Sequence, residues 1–433
     1  MRSKMLAVAI AASLGASSFA AVAAPQTQHH KKSAQVTVSA SELAQMKAEI
    51  AALQQKVDDL QSQSATQAQA QQQTEQTVQQ VQAQQQSIAA APAPDAELSH
   101  RVDRLDKLVN NTSLSGKMYF DFSSISQKNS DTGKTNSSGL GFDVKRFYLG
   151  INHDFNDVWS ANLTTDFNYV SNDGETNLFV KKAYVQGKFD KGAILRVGSA
   201  DMPWIPFVEN WYGFRYVENT ITDRLHYANS ADWGVHMLGS VGADGMFDYA
   251  VSAVNGGGYK NPSRSKTVDF EGRVGFSPIK NMVIALGGYT GDLGKKTQNQ
   301  DVEHTANRGD LMVAYASKAF RAGAEYFTVK NWNNVTLPLS DKADGYSVWG
   351  SVALNDYLAL FARYDNAKLS KDINPRNKDT YYNMGLQYSV TKGFDLALVW
   401  KHESAHSQVD APVPPHVQDV KTNEIGVFGQ VAF

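Results

Sequence analysis

The feature that most constrains the fold is a two-residue alternation of side chains that begins after Asn110 and continues to Phe433. In FDLALVWK (394–401), Phe, Leu, Leu and Trp share one face of an extended segment, while Asp, Ala, Val and Lys share the other. A period of two is typical of strands with one apolar face. Sixteen segments with this rhythm predict sixteen strands, near residues 115–126, 139–155, 158–170, 177–189, 193–201, 231–242, 246–254, 267–277, 281–291, 307–317, 319–330, 343–354, 357–368, 378–390, 393–403 and 420–433.

The connections between these segments alternate in length, which indicates a particular all-β architecture. Tight turns such as Asn156-Asp157 and Asn355-Asp356 alternate with longer loops such as 292–306 and 404–419. Short turns on one side, long loops on the other and aromatic residues near the strand ends are typical of outer-membrane barrels. A soluble sandwich or propeller also alternates, but it does not need a charged second face on nearly every strand. We therefore predict a transmembrane, 16-stranded antiparallel outer-membrane β-barrel over residues 111–433, preceded by an N-terminal α-helical coiled coil.

The N-terminus has the pattern of an exported protein. Residues 1–23 combine Arg2 and Lys4 with an apolar stretch and end in Ala-Val-Ala, as secretory signal peptides do. The stretch is too short and too rich in Ala and Ser for a membrane-spanning helix, which needs about 20 apolar residues. The sequence has no cysteine, which suits passage through an oxidising compartment.

A helical stalk is predicted between the leader and the barrel. After a polar tail (24–40), the Gln-rich segment 41–90 carries apolar residues spaced alternately three and four apart, and a Pro/Ala break and a second short helix (91–110) follow. The predicted coiled-coil seam consists of Leu43, Met46, Ile50, Leu53, Val57 and Leu60. A single helical seam can be buried only against other helices, so we expect self-association. A disordered Gln/Ala linker with chance heptads is the alternative.

If the apolar faces meet lipid, the polar faces line an interior wide enough for water. The pore-lining basic candidates are Arg146, Lys182, Lys188, Arg196, Arg215, Arg224, Arg273, Arg321, Arg363 and Lys401. Cationic side chains in a pore attract anions. They can equally balance the lumen carboxylates Glu271, Glu325, Asp365 and Asp395 and serve only to keep the pore wet.

The longest connection, about 202–231, is unusually aromatic. Its constriction-loop aromatics are Trp204, Trp211, Tyr212, Phe214 and Tyr216. Such a loop is costly to expose, so we expect it to fold inward and narrow the channel. The rings can stack on sugars or line an anion path, or they can pack the loop against the wall.

Motifs for other functions are missing from the sequence. It contains no convincing nucleophile triad, no phosphate-binding Gly-rich loop and no Cys/His metal spacing, so we expect no enzyme activity, no cofactor and no metal. The formal net charge of −2 gives no pull toward nucleic acid.

The barrel region resembles the phosphate-selective porin O and P family of Gram-negative outer membranes. The matching residues are KRFYLG (145–150), LRVGSADMPWIPFVE (195–209) and the course from Arg215-Tyr216 to ADWGV (231–235). The resemblance implies a 16-stranded homotrimer whose third loop enters the pore, and an association with phosphate or polyphosphate uptake.

These observations predict a channel for passive diffusion of small hydrophilic solutes, with a preference for anions. A carbohydrate-specific porin is one alternative, and a structural tether between the outer membrane and peptidoglycan is another. The expected location is the outer membrane of a Gram-negative cell, with the stalk in the periplasm. The expected partners are other copies of the chain, outer-membrane lipid, the barrel-insertion machinery, which the resemblance implies would read Phe433 as an assembly signal, and peptidoglycan.

Overall fold

The computed structural model describes residues 52, 55–57, 69–84, 96–130, 132–170, 175–262, 264–409 and 416–433. The chain divides into two units, Met1–Asp95 and Ala96–Phe433. In the first unit, residues 69–84 form a helix, α1. Of the predicted seam, only Val57 lies among the described residues, where it is helical and exposed; Leu43, Met46, Ile50, Leu53 and Leu60 lie outside them. The coiled coil therefore stays a prediction.

The second unit begins with a helix, α2 (Ala96–Asn110), and continues as sixteen strands. The strands are β1 (Thr112–Asn129), β2 (Thr135–Asp154), β3 (Trp159–Val170), β4 (Glu175–Lys188), β5 (Ile194–Asp201), β6 (Ala231–Val241), β7 (Phe247–Val254), β8 (Asp269–Phe276), β9 (Met282–Gly291), β10 (Ala306–Ala316), β11 (Phe320–Lys330), β12 (Lys342–Ala353), β13 (Leu358–Lys368), β14 (Lys378–Thr391), β15 (Phe394–Val409) and β16 (His416–Ala432). Each strand pairs antiparallel with the next, and β1 pairs with β16 to close the barrel. The predicted closed barrel of sixteen strands is confirmed.

Phe433 lies at the seam where the barrel closes. Its backbone N–H donates to the carbonyl of Gly116 over 3.0 Å, and the N–H of Gly116 donates back to the carbonyl of Phe433 over 3.0 Å. The phenyl ring lies directly over Gly116, where a Cβ would fall 2.1 Å from a ring carbon. Glycine at this position therefore makes room for the ring. The role of Phe433 as an assembly signal stays a prediction.

The alternation in the sequence corresponds to the two sides of the wall. On β11, Phe320 and Tyr326 point outward and are exposed, whereas Glu325 and Phe327 are buried inside the barrel. The outward faces of the other strands carry the same kind of residue, such as Leu286 and Leu398. Such an apolar outer face around a polar interior suits a barrel surrounded by lipid.

Among the helices that the structure describes, none combines the length and the apolar character needed to cross a membrane.

The prediction of a long loop over residues 404–419 is wrong. Strand β15 extends into this segment as far as Val409 and β16 begins within it at His416, which lies opposite Val409; the imidazole of His406 pairs with Asp419. The alternation fades in HESAHSQV because Ala405 and Val409 are its only apolar residues, although the backbone ladder continues. A strand that extends beyond an apolar environment keeps its hydrogen bonds and needs no apolar face.

The connection between β5 and β6 contains two short helices that the two-residue alternation does not predict. They are α3 (Ile205–Tyr212) and α4 (Ile221–Arg224). Pro206 lies in the first turn of α3, and Gly213 ends the helix with φ of 82°. Proline at a helix start and a left-handed glycine just past its end are ordinary helix signals. We call residues 202–230 the inner loop, because its side chains pack inside the barrel.

Candidate functional site

The inner loop is attached to the barrel wall at its first residues. The backbone N–H of Trp204 donates to Oε1 of Glu271 on β8 over 2.9 Å. The indole N–H of the same residue donates to Oε1 of Glu325 on β11 over 2.7 Å. All three side chains are almost completely buried. Because a buried polar group is costly to leave unpaired, these bonds fix the entry of the loop into the barrel.

Basic residues on the wall bind the backbone of the inner loop. Nε of Arg273 donates to the carbonyl of Pro203 over 3.0 Å, and its guanidinium pairs with Asp248. Arg321 donates to the carbonyls of Asn210 and Trp211 over 3.1 and 3.3 Å. Arg273 and Arg321 therefore hold the backbone of the inner loop against the barrel wall.

The same arrangement recurs on β10 and β13. Nη1 of Arg308 donates to the carbonyl of Tyr227 over 2.9 Å, and its guanidinium pairs with Asp310. Nη1 of Arg363 donates to the carbonyl of Asn219 over 2.5 Å, while Asp365 holds the rest of that guanidinium. In both cases a carboxylate two residues further along the strand orients the arginine toward the loop.

Charged side chains of the inner loop complete its attachment to β13, β14 and β15. Arg224 lies among three carboxylates, at 3.3 Å from Asp365, 2.5 Å from Asp379 and 2.6 Å from Glu403. Glu218 lies 3.4 Å from Nζ of Lys401 on β15. Burial alone would raise the pKa of Glu218, but the positive charges of Lys401, Lys145 and Arg224 outweigh burial and lower it to about 2.

These contacts give half of the basic candidates the second of the two roles considered for them, that of balancing other polar groups in the interior. In the structure they bind the inner loop or are enclosed by carboxylates, and four of the five are nearly buried. The five residues are Arg224, Arg273, Arg321, Arg363 and Lys401. Their physical role is to compensate the polar groups of a loop that has left bulk water.

The constriction-loop aromatics pack between the loop and the wall. Trp204, Tyr212, Phe214 and Tyr216 are buried in one cluster, and Trp211 is half-buried against it. The ring of Phe214 stacks on Phe361 of β13 with centroids 4.2 Å apart. These aromatic side chains therefore fill the part of the interior that lies next to strands β8–β15.

The opposite side of the interior, along β1–β4, contains two cavities. One has a volume of about 540 Å³ and extends toward the turn end of the barrel, where Ser115 and Phe433 line it. The other has a volume of about 320 Å³ and is lined by Asp143 of β2. Tyr119 and Arg215 line both cavities, with Cζ of Arg215 5.9 Å from the ring centroid of Tyr119. This pair lies where the two cavities meet.

Arg215 is the one predicted basic residue of the loop that faces these cavities. Its Nε lies 2.5 Å from Oε1 of Glu209, and Nη2 lies 3.4 Å from Asp223. Burial alone would lower the pKa of Arg215, but these carboxylates outweigh it and raise that pKa. Arg215 is therefore a permanent cation at the junction.

Two β-bulges place consecutive cations inside the barrel. Pairing of β1 with β2 skips Lys145, and pairing of β3 with β4 skips Lys181. As a result Lys145 reaches Asp121 at 3.2 Å while its neighbour Arg146 reaches Asp166 at 3.4 Å. An extra residue in one strand lets two neighbours share a face.

The β4 bulge works in the same way. Lys181 donates to the hydroxyl of Tyr148 over 3.2 Å, and Lys182 lies 2.5 Å from Asp201. Strict alternation predicted Arg146 and Lys182 as inward residues and missed Lys145 and Lys181. The adjacent cations Lys145-Arg146 and Lys181-Lys182 could have indicated the two bulges. In a strand without a bulge, one cation of each pair would point into lipid.

Six cationic and four carboxylate side chains line the two cavities. The cations are Lys117, Lys145, Arg146, Lys181, Lys182 and Arg215. Within the described part of the chain, Lys117 and Lys181 have no carboxylate within ion-pair distance, whereas the other four do. Burial lowers the pKa of Lys260 in the loop after β7, and the nearby charges of Arg146 and Lys181 lower it further. This side of the lumen therefore presents more cations than carboxylates to the two cavities.

The two remaining basic candidates line neither cavity. Arg196 of β5 donates to Oε1 of Gln186 over 2.9 Å and lies 4.9 Å above the ring of Tyr184. Lys188 is exposed at the end of β4. In the part of the chain that the structure describes, no cluster of three or more metal-ligating side chains occurs.

The fold and interior define a class: a closed 16-stranded barrel with an inner loop after β5 and a polar lumen, which is the porin architecture. The sequence model of the phosphate-selective porin O and P family matches residues 113–205, from β1 to the start of the inner loop. No curated protein matches the chain by sequence.

Solved structures of porins share the fold. The anion-selective porin from Comamonas acidovorans is 13% identical, with a TM-score of 0.53 over 74% of this chain and all of that chain. OmpT of Vibrio cholerae is 12% identical, with a TM-score of 0.49 over 74% of this chain and 97% of that one. At these identities the likeness of the first structure supports the fold alone, and the second is too distant in geometry to add to it.

Proposed function

We propose that this protein is an outer-membrane porin that lets small hydrophilic anions diffuse through the lumen between the inner loop and strands β1–β4. The observation that carries the proposal is the set of six cations lining this side, two of them, Lys117 and Lys181, without a carboxylate partner among the described residues. Such side chains favour anions over cations electrostatically. The match to a phosphate-selective porin family over β1–β5 supports the same direction.

The proposal also covers the cellular location and the oligomeric state of the protein. An apolar outer surface suits the outer membrane of a Gram-negative cell, and the expected homotrimer and periplasmic stalk follow from the family resemblance and the predicted seam. These features support a channel rather than an enzyme. Phosphate and other small oxyanions are the expected solutes, because lysine and arginine both bind them well.

The test is the reversal potential of the purified protein in a planar bilayer that separates two KCl concentrations. We expect the reversal potential to have the sign of a pore that is more permeable to chloride than to potassium. The double variant Lys117→Gln/Lys181→Gln should shift the potential toward that of a non-selective pore. Lys318→Gln is the matched control, because it removes a cation from an exposed turn rather than from the lumen. A potassium-preferring potential contradicts the anion proposal, and a complete lack of conductance favours the tether.

A further inference from the structure

Aromatic rings and lysines alternate along the cationic side of the lumen. Nζ of Lys181 lies 4.5 Å from the ring centroid of Tyr148 and 5.6 Å from that of Tyr259. Tyr259 stacks on Phe179 with centroids 5.9 Å apart, and Nζ of Lys260 lies 5.0 Å from the Phe179 ring. We call these five residues, together with Lys117, the aromatic–lysine strip.

Three of the six residues of the strip line the larger cavity, and the other three lead toward it. Lys117 and Tyr148 are register partners on β1 and β2, and both line the 540 Å³ cavity together with Lys181. Phe179 lies opposite the buried Asp166, so it is on the inner face of β4. Tyr259 and Lys260 approach from the loop after β7. The strip therefore leads from the loop side of the barrel into the cavity.

This arrangement is not suited equally to all anions. Inorganic phosphate uses the lysines but gains nothing from the rings. A neutral sugar can stack on the rings but leaves the lysines unused. An aromatic carboxylate uses both, because its carboxylate interacts with an ammonium group while its ring packs edge-to-face or offset against tyrosine and phenylalanine. The cavity volume is also within the range of small-molecule pockets.

We propose that the aromatic–lysine strip is a binding path for small aromatic carboxylates, with the carboxylate at Lys117 and Lys181 and the ring against Tyr148 and Phe179. This inference rests on the proposed anion-permeable channel and adds the chemical class of its preferred solute.

The test compares benzoate with cyclohexanecarboxylate, which has the same charge and a similar size but no aromatic ring. Each is added to single channels in symmetric KCl at neutral pH, and the half-blocking concentration of the ion current is measured. If the ring of benzoate pairs with the aromatic residues of the strip, its half-blocking concentration should be about threefold to tenfold lower than that of cyclohexanecarboxylate. Phosphate and glucuronate, tested in the same way, should both block at higher concentrations than benzoate.

Variants separate the two halves of the strip. Tyr148→Leu and Phe179→Leu should each move the benzoate-to-cyclohexanecarboxylate ratio toward one, whereas Lys181→Gln should weaken both carboxylates alike. Tyr346→Leu, on the exposed outer face of β12, is the matched control and should keep the wild-type ratio.

Three results would overturn the inference: a ratio of one in the wild type, phosphate or glucuronate as the strongest blocker, or an unchanged ratio in both ring variants. Its failure is distinguishable from failure of the proposed function. A chloride-preferring reversal potential with a ratio of one removes the aromatic preference and keeps the anion channel, whereas a potassium-preferring potential removes the anion channel itself.

Discussion

Trp204 and Glu325 join the inner loop to the barrel wall, with the indole N–H donating to the carboxylate across 2.7 Å inside the barrel. The two residues are 121 positions apart in the sequence, and both are buried. Together with the arginines of β8, β10 and β13, this bond keeps the loop against one side of the lumen. The width of the passage therefore depends on side-chain contacts far from the residues that solutes meet.

Trp204→Phe should loosen the loop while keeping an aromatic ring in place. The change removes the indole donor and leaves Oε1 of Glu325 with only the longer bond from the Thr222 hydroxyl at 3.4 Å. Complete loss of the partner of a buried acceptor costs about 1–3 kcal/mol, which sets the upper limit of the effect. We expect noisier single-channel currents and faster proteolysis within 202–230. Trp159→Phe, on the outer face near the turn end, is the control and should behave as the wild type. Quiet channels with a protected loop would show that the hydrogen bond does not hold the loop.

Gly287→Ala should displace the same ring by a different route. A Cβ at Gly287 would fall 2.5 Å from Cε3 of Trp204, which is too close for any real contact. Gly288 is the matched control, because the nearest atom to its Cβ is a backbone oxygen at 3.4 Å. We expect Gly287→Ala to reproduce the noise of Trp204→Phe and Gly288→Ala to leave the current steady. Equal currents in both glycine variants would contradict the close packing.

Glu218 should make the stability of the loop depend on pH. Its pKa is lowered in the folded protein to about 2 from an ordinary 4.5, so its stabilising contribution is complete above about pH 4.5 and is lost as the pH falls toward 2. Glu218→Gln should therefore lower the thermal unfolding midpoint in detergent at pH 7, and the difference from the wild type should shrink between pH 4.5 and pH 3. A difference that stays constant over this range would mean that the carboxylate charge does not matter.

The strand count was predictable because lipid on one side and water on the other impose a period of two over each membrane crossing. The bulges at Lys145 and Lys181 broke that period locally, and alternation alone counted only one cation of each pair. The extension of β15 and β16 was missed for the opposite reason. Their polar ends pair through the backbone, which leaves no side-chain pattern to read.

The site was less predictable than the barrel. Sequence alternation placed Arg363 inside, but its use depends on the carbonyl of Asn219, which only the folded loop brings near. Lys117 was not among the predicted residues, although it lies in the same alternating segment as Tyr119. What distinguishes Lys117 from Arg363 is whether the inner loop covers it, and that is a property of long-range packing.

The most direct test of the account asks which side of the lumen solutes use. Because the sequence has no cysteine, single-cysteine variants can be labelled at one position each. Thr164 of β3 lines the 540 Å³ cavity, whereas Ala314 of β10 is buried behind the inner loop with Trp204. A negatively charged methanethiosulfonate reagent should react rapidly with Thr164→Cys and reduce its conductance, and it should leave Ala314→Cys unlabelled. Rapid labelling and block at Ala314→Cys, with no effect at Thr164→Cys, would contradict a passage along β1–β4.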